Sequence, residues 1–168
     1  MSEAITAPWR AHVIQDFAKS ELFERTFQEG MELVEETAGY LDGAGRQTSK
    51  SLSRNAALAY ASESMRLTTR LMQVASWLLV QRAVREGDMA AAAACEDRYR
   101  LAAEDAARSA DAVSNDLPST LTTLLDRSER LYDRVRHLDK RMYVEVEPAA
   151  AHPVLSQLDR LKTAIGGF

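Results

Sequence analysis

Cysteine is almost missing from this chain: Cys95 is the only one in 168 residues. A lone thiol excludes an intramolecular disulfide framework and fits a reducing compartment. Set in an alanine-rich run, it reads as a small packing residue and not as a nucleophile. Histidine is also sparse. His12, His137 and His152 lie in different segments, and none has a partner at metal-ligand spacing. The sequence has no Glu-x-x-His pair of the kind di-iron bundles use, no phosphate-binding glycine loop after a strand, and no recognisable nucleophile motif around its serines and threonines. No catalytic residue, metal ligand or cofactor is therefore expected, and the chain reads as a non-enzyme. A net charge of −4 argues against a dedicated nucleic-acid binder. The uncharged run between Arg70 and Arg82 is shorter than the ~20 apolar residues of a membrane span. The first residues, MSEAITAPWRAHV, carry Glu3 and no basic-then-apolar run, so no signal peptide is expected and the expected location is cytoplasmic.

Proline and glycine are few, at four and seven, and three of the prolines (Pro8, Pro148 and Pro153) stand near the ends. That leaves the middle free to be helical. Hydrophobic residues make up 46% of the chain, enough for one domain with a real core. The reading is organised around residues 53–86, a helix without interruption until Gly87. Leu58, Ala61, Met65, Thr68, Leu71, Met72, Ala75, Leu78 and Leu79 recur at three- and four-residue spacing as one face. Small residues alternate with large ones there, which permits close approach of another helix. A second apolar line (Tyr60, Leu67, Val74, Trp77, Val80, Val84) runs round the back. A helix apolar on nearly all sides belongs in the middle of something. It is read as the central helix of a bundle that also contributes to a subunit interface, with Met65, Leu71, Met72, Trp77 and Leu78 as dimer or bundle packing.

The remainder gives an all-α fold: an antiparallel three-helix bundle with a loose connector between helices two and three and a flexible C-terminal tail. Residues 1–15 read as a flexible N-terminal arm, and residues 16–143 as the single bundle domain. Asp16 or Ser20 is positioned to cap the first long helix, which buries Phe23, Phe27, Met31, Val34, Ala38 and Leu41. Gly43 and Gly45 end it, and residues 46–50 form a short polar turn. Residues 88–115 offer little to bury and read as a marginal helix or connector. Asp116 and Pro118 open a third helix with the stripe Leu121, Leu124, Leu125, Ser128, Leu131, Val135, Leu138 and Met142. Residues 144–168 are a tail with a short amphipathic segment, Val154, Leu155, Leu158, Leu161 and Ile165.

Charge is unevenly placed. Residues 21–42 are acidic, whereas residues 46–85 carry Arg and Lys with Glu63 as the only acid, which suits two complementary neighbouring helices. Glu63, Arg66 and Arg70 interrupt the apolar helix, either as structural pairs or as a partner-facing stripe. His137, followed three residues later by Lys140, resembles the histidine-phosphotransfer signature, but Asp139 and Arg141 replace its usual apolar residue and glycine. A basic last turn favouring the helix dipole accounts for the same residues. A histidine-phosphotransfer-like bundle, or a DNA-associated structural bundle, is the alternative reading.

Residues 20–46 (SELFERTFQEGMELVEETAGYLDGAGR) and 52–87 (LSRNAALAYASESMRLTTRLMQVASWLLVQRAVREG) closely resemble the RcdA family, regulators of CtrA degradation. The resemblance implies a homodimeric three-helix bundle acting as an adaptor for the ClpXP protease in cell-cycle control. It implies binding to a protease primed by a CpdR-like response regulator, and tethering of protein cargo or of a PopA-like, cyclic-di-GMP-binding adaptor. On that basis Arg54, Asn55, Glu63, Arg66 and Arg70, inside the most family-like stretch, are expected to contact cargo or co-adaptor. Val154, Leu155, Leu158 and Leu161 are expected to dock the tail on a partner. Neither nucleic acid nor membrane is an expected partner.

Overall fold

The computed structural model describes residues 8–103 and 116–143. Among these, every regular element is helical: α1 (Pro8–Ala18), α2 (Glu21–Asp42), α3 (Ala44–Ser49), α4 (Arg54–Glu86), α5 (Ala91–Ala94) and α6 (Ser119–Tyr143), with one 3₁₀ turn at Asp97–Tyr99. The three long helices, α2, α4 and α6, form a bundle. Their ends carry the expected chemistry. Ser20 caps α2 by accepting from the Phe23 amide at 3.1 Å, and Ser53 caps α4 by accepting from that of Ala56 at 3.3 Å. Gly87 closes α4 with φ of 81°, a left-handed conformation that side chains disfavour.

The direction of α6 departs from an all-antiparallel arrangement. Arg85 of α4 pairs with Glu24 of α2, and Gly30 meets Leu78, so α2 and α4 are antiparallel. Along α6, Arg127 pairs with Glu36 and Arg134 with Glu29, so α6 is also antiparallel to α2. It follows that α6 runs parallel to α4, in agreement with the contacts Arg70 to Ser128 and Trp77 to Asp139. Two parallel helices need a connection that travels their length. Residues 87–118 are that connection. From Ala94, whose carbonyl meets Tyr143, it passes Leu101 beside Asp139 and Ala102 beside Tyr132, running back along α6.

Further expectations are corrected. The arm expected over residues 1–15 is, from Pro8, the helix α1. Its Ile14 and Ala18 are fully buried, and Phe17 packs at 5.8 Å between ring centroids from Trp77 and at 5.7 Å from Phe23. Residues 46–50, expected as a polar turn, lie almost wholly in α3. Gly45 is buried there, and a Cβ on it would stand 2.7 Å from the Tyr60 hydroxyl. The connector is anchored as far as Ala102, whose carbonyl accepts from the Tyr132 hydroxyl, with Ala94 and Cys95 buried. Acidic α2 is complemented mainly by arginines of α6 and less by α4.

The core belongs to one side of α4. Leu67, Val74, Trp77 and Leu78 are buried, as are Phe23 and Leu33 of α2 and Leu121, Leu124, Leu131 and Val135 of α6. The buried face of α2 is rotated from the expected line: Thr26, Gly30, Leu33 and Thr37 are at its centre, and Ala38 is exposed. Gly30 has a packing reason. A Cβ there would lie 2.7 Å from Leu78 Cδ1, whereas at Gly39 it would meet nothing within 4 Å. Gly39→Ala is therefore expected to raise stability by up to about 1 kcal/mol, the helix-propensity difference. Gly30→Ala is expected to forfeit that gain, because buried Leu78 must move. Urea unfolding of both variants checks this; an equal gain for the two would contradict the close packing.

At the far end of α6, the Tyr143 hydroxyl donates to the Ala94 carbonyl at 2.7 Å, and burial pushes its pKa well above that of a free phenol. The folded state thus favours the neutral form. Its contribution is fully present below the unfolded pKa of about 10 and is lost as pH rises beyond it. Tyr143→Phe is expected to cost about 1 kcal/mol at pH 7 and to flatten the loss of stability above pH ~10. An unchanged alkaline slope would contradict the assignment.

Candidate interaction surface

Two polar side chains inside the bundle, Arg70 and Asp139, are tied to neighbouring elements. The Arg70 guanidinium donates to Ser128 Oγ at 2.8 Å and to the Leu125 carbonyl at 3.4 Å, and the Ser128 hydroxyl in turn donates to Leu125. Asp139 is the second internal tie. Its Oδ1 accepts from Trp77 Nε1 and from the Leu101 amide, each at 3.0 Å, and its Oδ2 pairs with Arg100 at 3.2 Å. One carboxylate therefore holds α4, the connector and α6 together. Tyr132 adds a bond from its hydroxyl to the Ala102 carbonyl at 2.7 Å. Cys95 is buried with its thiol directed at the Ala91 carbonyl, and burial pushes its pKa up against the opposing charge of Arg10. That keeps the thiol protonated and unreactive.

This geometry divides the expected site residues. Of the cargo or co-adaptor set, Arg54 and Asn55 are exposed in the first turn of α4, and Arg66 is half-buried. Glu63 and Arg70 are buried, at 8% and 6% exposure. Glu63 lies 3.6 Å from Arg66, and Arg70 faces α6, so neither presents its charge outward. The packing set divides as well. Leu71, Trp77 and Leu78 are in the core, whereas Met65 and Met72 are among the most exposed large apolar side chains. The line read as the main face of α4 points largely to solvent, and the line read as its back is the core. Val154, Leu155, Leu158 and Leu161 lie outside the described residues.

The outside of the bundle carries two distinct surfaces. One is charged: Glu29, Arg127, Arg130, Asp133 and Arg134 line an open groove of about 490 Å³ between α2 and α6. His137 is exposed on α6 beyond it. The other is the outward face of α4, from Leu58 to Leu79, on which every exposed residue is uncharged. Among the described residues, no group of His, Cys, Asp and Glu is placed to hold a metal ion, and no helix is long and apolar enough to cross a membrane. Asp139 is the structural residue the sequence reading passed over. Its signal was present, since it stands four residues after Val135 and three before Met142, on the buried stripe itself.

Comparison with known proteins gives this surface its context. Residues 14–165 match a family described as a protein of unknown function, DUF1465. No curated protein matches. The crystal structure of RcdA from Caulobacter crescentus CB15 is 69% identical in sequence, with a TM-score of 0.66. The match covers 79% of this chain and 99% of that one. The family match over residues 14–165, together with 69% identity to RcdA over 79% of this chain, places the chain in the DUF1465 family, the family of RcdA.

Proposed function

We propose that this protein is an adaptor for regulated proteolysis in the cytoplasm, delivering protein cargo to a ClpXP protease primed by a CpdR-like response regulator. The observation that carries the reading is the 69% identity to RcdA across 99% of that chain. A PopA-like, cyclic-di-GMP-binding adaptor is the co-adaptor this reading adds. The mechanism is tethering. Holding cargo beside the unfoldase replaces a bimolecular search by a high effective concentration, so weak contacts are enough.

The fold supports a division of labour. Arg70 and Asp139 are engaged inside the bundle, while exposed side chains are free to meet a partner. Within the cargo or co-adaptor set, Arg54, Asn55 and Arg66 are the residues able to meet a partner; Glu63 and Arg70 act through the fold. Residues 148–168 supply the second contact, with Val154, Leu155, Leu158 and Leu161 as an apolar docking segment beyond a proline-bounded linker.

A reconstituted degradation assay tests this reading. Cargo loss is expected to accelerate only when ClpXP, the unphosphorylated CpdR-like regulator and this protein are all present. Removing residues 148–168 is expected to slow delivery severalfold while helical content stays unchanged. Cargo loss that ignores this protein, with and without the PopA-like adaptor, would overturn the adaptor reading. Undiminished delivery by the shortened chain would overturn only the role of the tail.

A further inference from the structure

Along α6, Arg127, Arg130, Arg134, His137 and Arg141 recur at alternating three- and four-residue spacing, which sets them in one line about 21 Å long. All are exposed except half-buried Arg127. Helix α2 neutralises this line at two points. Glu36 pairs with Arg127 and Glu29 with Arg134, so the acids and their arginines share one seven-residue interval. The same register puts Leu33 opposite Arg130, and Leu33 belongs to the core, so α2 offers no carboxylate there. Asp133, which also lines the groove, is paired with Arg136 at 3.2 Å. Among the described residues, no acid stands within ion-pair distance of Arg130, His137 or Arg141.

Guanidinium groups in a row take carboxylates or phosphates. The narrowness of the line separates the two. Exposed Glu29, Glu32 and Glu36 flank it on the α2 side, and exposed Asp126 and Asp133 on the other. A nucleic-acid duplex spreads its phosphates over two strands and sets them against these acids, and the net charge of −4 adds to the repulsion. A single row of carboxylates meets the arginines alone. Helix α2 already displays that geometry in Glu29 and Glu36. A partner helix with Glu or Asp at three- and four-residue spacing presents carboxylates about 5 Å apart, which is the interval of the arginines. The pairs made by Glu29 and Glu36 are exposed and weak enough to be exchanged. These two residues therefore compete with a partner for the groove.

We infer that the line of Arg127, Arg130 and Arg134 is a docking groove for an acidic helical segment of a protein partner, and that Glu29 and Glu36 are built-in competitors that limit its affinity. The adaptor reading makes that partner a cargo protein; the groove itself does not rest on it, because binding is measured without protease.

Fluorescence anisotropy with the full chain tests it at about 0.15 M salt. The probe is a fluorescein-labelled alanine peptide of about 15 residues with glutamate at three- and four-residue spacing. Arg130→Glu is expected to weaken binding about tenfold with helical content and urea midpoint unchanged, since Arg130 has no internal ion pair to lose. Arg98→Glu, on the connector side of α6, is the control and is expected to change binding less than about twofold. Glu29→Gln with Glu36→Gln is expected to tighten binding severalfold, a gain that a merely structural role for these pairs does not produce. A peptide that fails to bind, or binds the Arg130→Glu variant equally well, would overturn the groove. Weaker binding to the double glutamine variant would overturn the competition. Tighter binding of a short DNA duplex than of the peptide would overturn the protein partner and assign the arginines to phosphate. Arg130-dependent peptide binding by a protein that delivers no cargo to ClpXP would sustain the groove and overturn the adaptor reading alone.

Discussion

A single buried carboxylate fixes the course of the chain. Asp139 is 3% exposed, and an ion in that setting is strongly destabilising unless hydrogen-bond donors surround it. Its donors come from different parts of the chain: the Trp77 indole on α4, and the Leu101 amide and Arg100 guanidinium on the connector. The contacts of Leu101 and Arg100 are available only when the connector lies along α6. The requirement to satisfy Asp139 thus pins the segment that carries the chain back, and so permits α6 to lie parallel to α4. Bonds from Tyr143 to Ala94 and from Tyr132 to Ala102 fasten the same segment at either side.

That route decides what remains exposed. Helix α4 touches α1, α2, α5 and α6, which together cover Tyr60, Leu67, Val74 and Trp77. No described element crosses its other side. The buried and the exposed apolar residues therefore occupy different faces of one helix. Core substitutions at Trp77 or Leu78 act through folding, whereas Met65 and Met72 stand outside the core and contribute little to it. The charged surface between α2 and α6 is a third region, where exposed ion pairs contribute little stability and can be exchanged for contacts with a partner.

Much of this was legible in the sequence, and the misses have physical causes. The α6 stripe was clear because its apolar residues stand among charged ones. On α2 the face was displaced because Thr26, Gly30 and Thr37 are buried yet carry no apolar signal. On α4 periodicity revealed two apolar lines but not which one meets the bundle; spacing alone is silent on that when both sides are apolar. Helix α1 escaped notice because only Ile14 and Ala18 are fully buried and its sequence has no clear stripe. The connector was read as loose because its anchors are backbone groups and one carboxylate, which leave no hydrophobic period. Among the site residues, Arg70 looked like surface charge because its partners, Ser128 and the Leu125 carbonyl, lie more than fifty residues away.

The most direct test of this account is the hydrogen-exchange rate of the Leu101 amide in the intact protein. If Asp139 pins the connector, that amide exchanges as slowly as the core amides of α6, and Asp139→Asn raises its rate while leaving the amides of α2 little changed. Exchange at the rate of an unstructured peptide in the unsubstituted protein would contradict the claim that this buried carboxylate organises the fold.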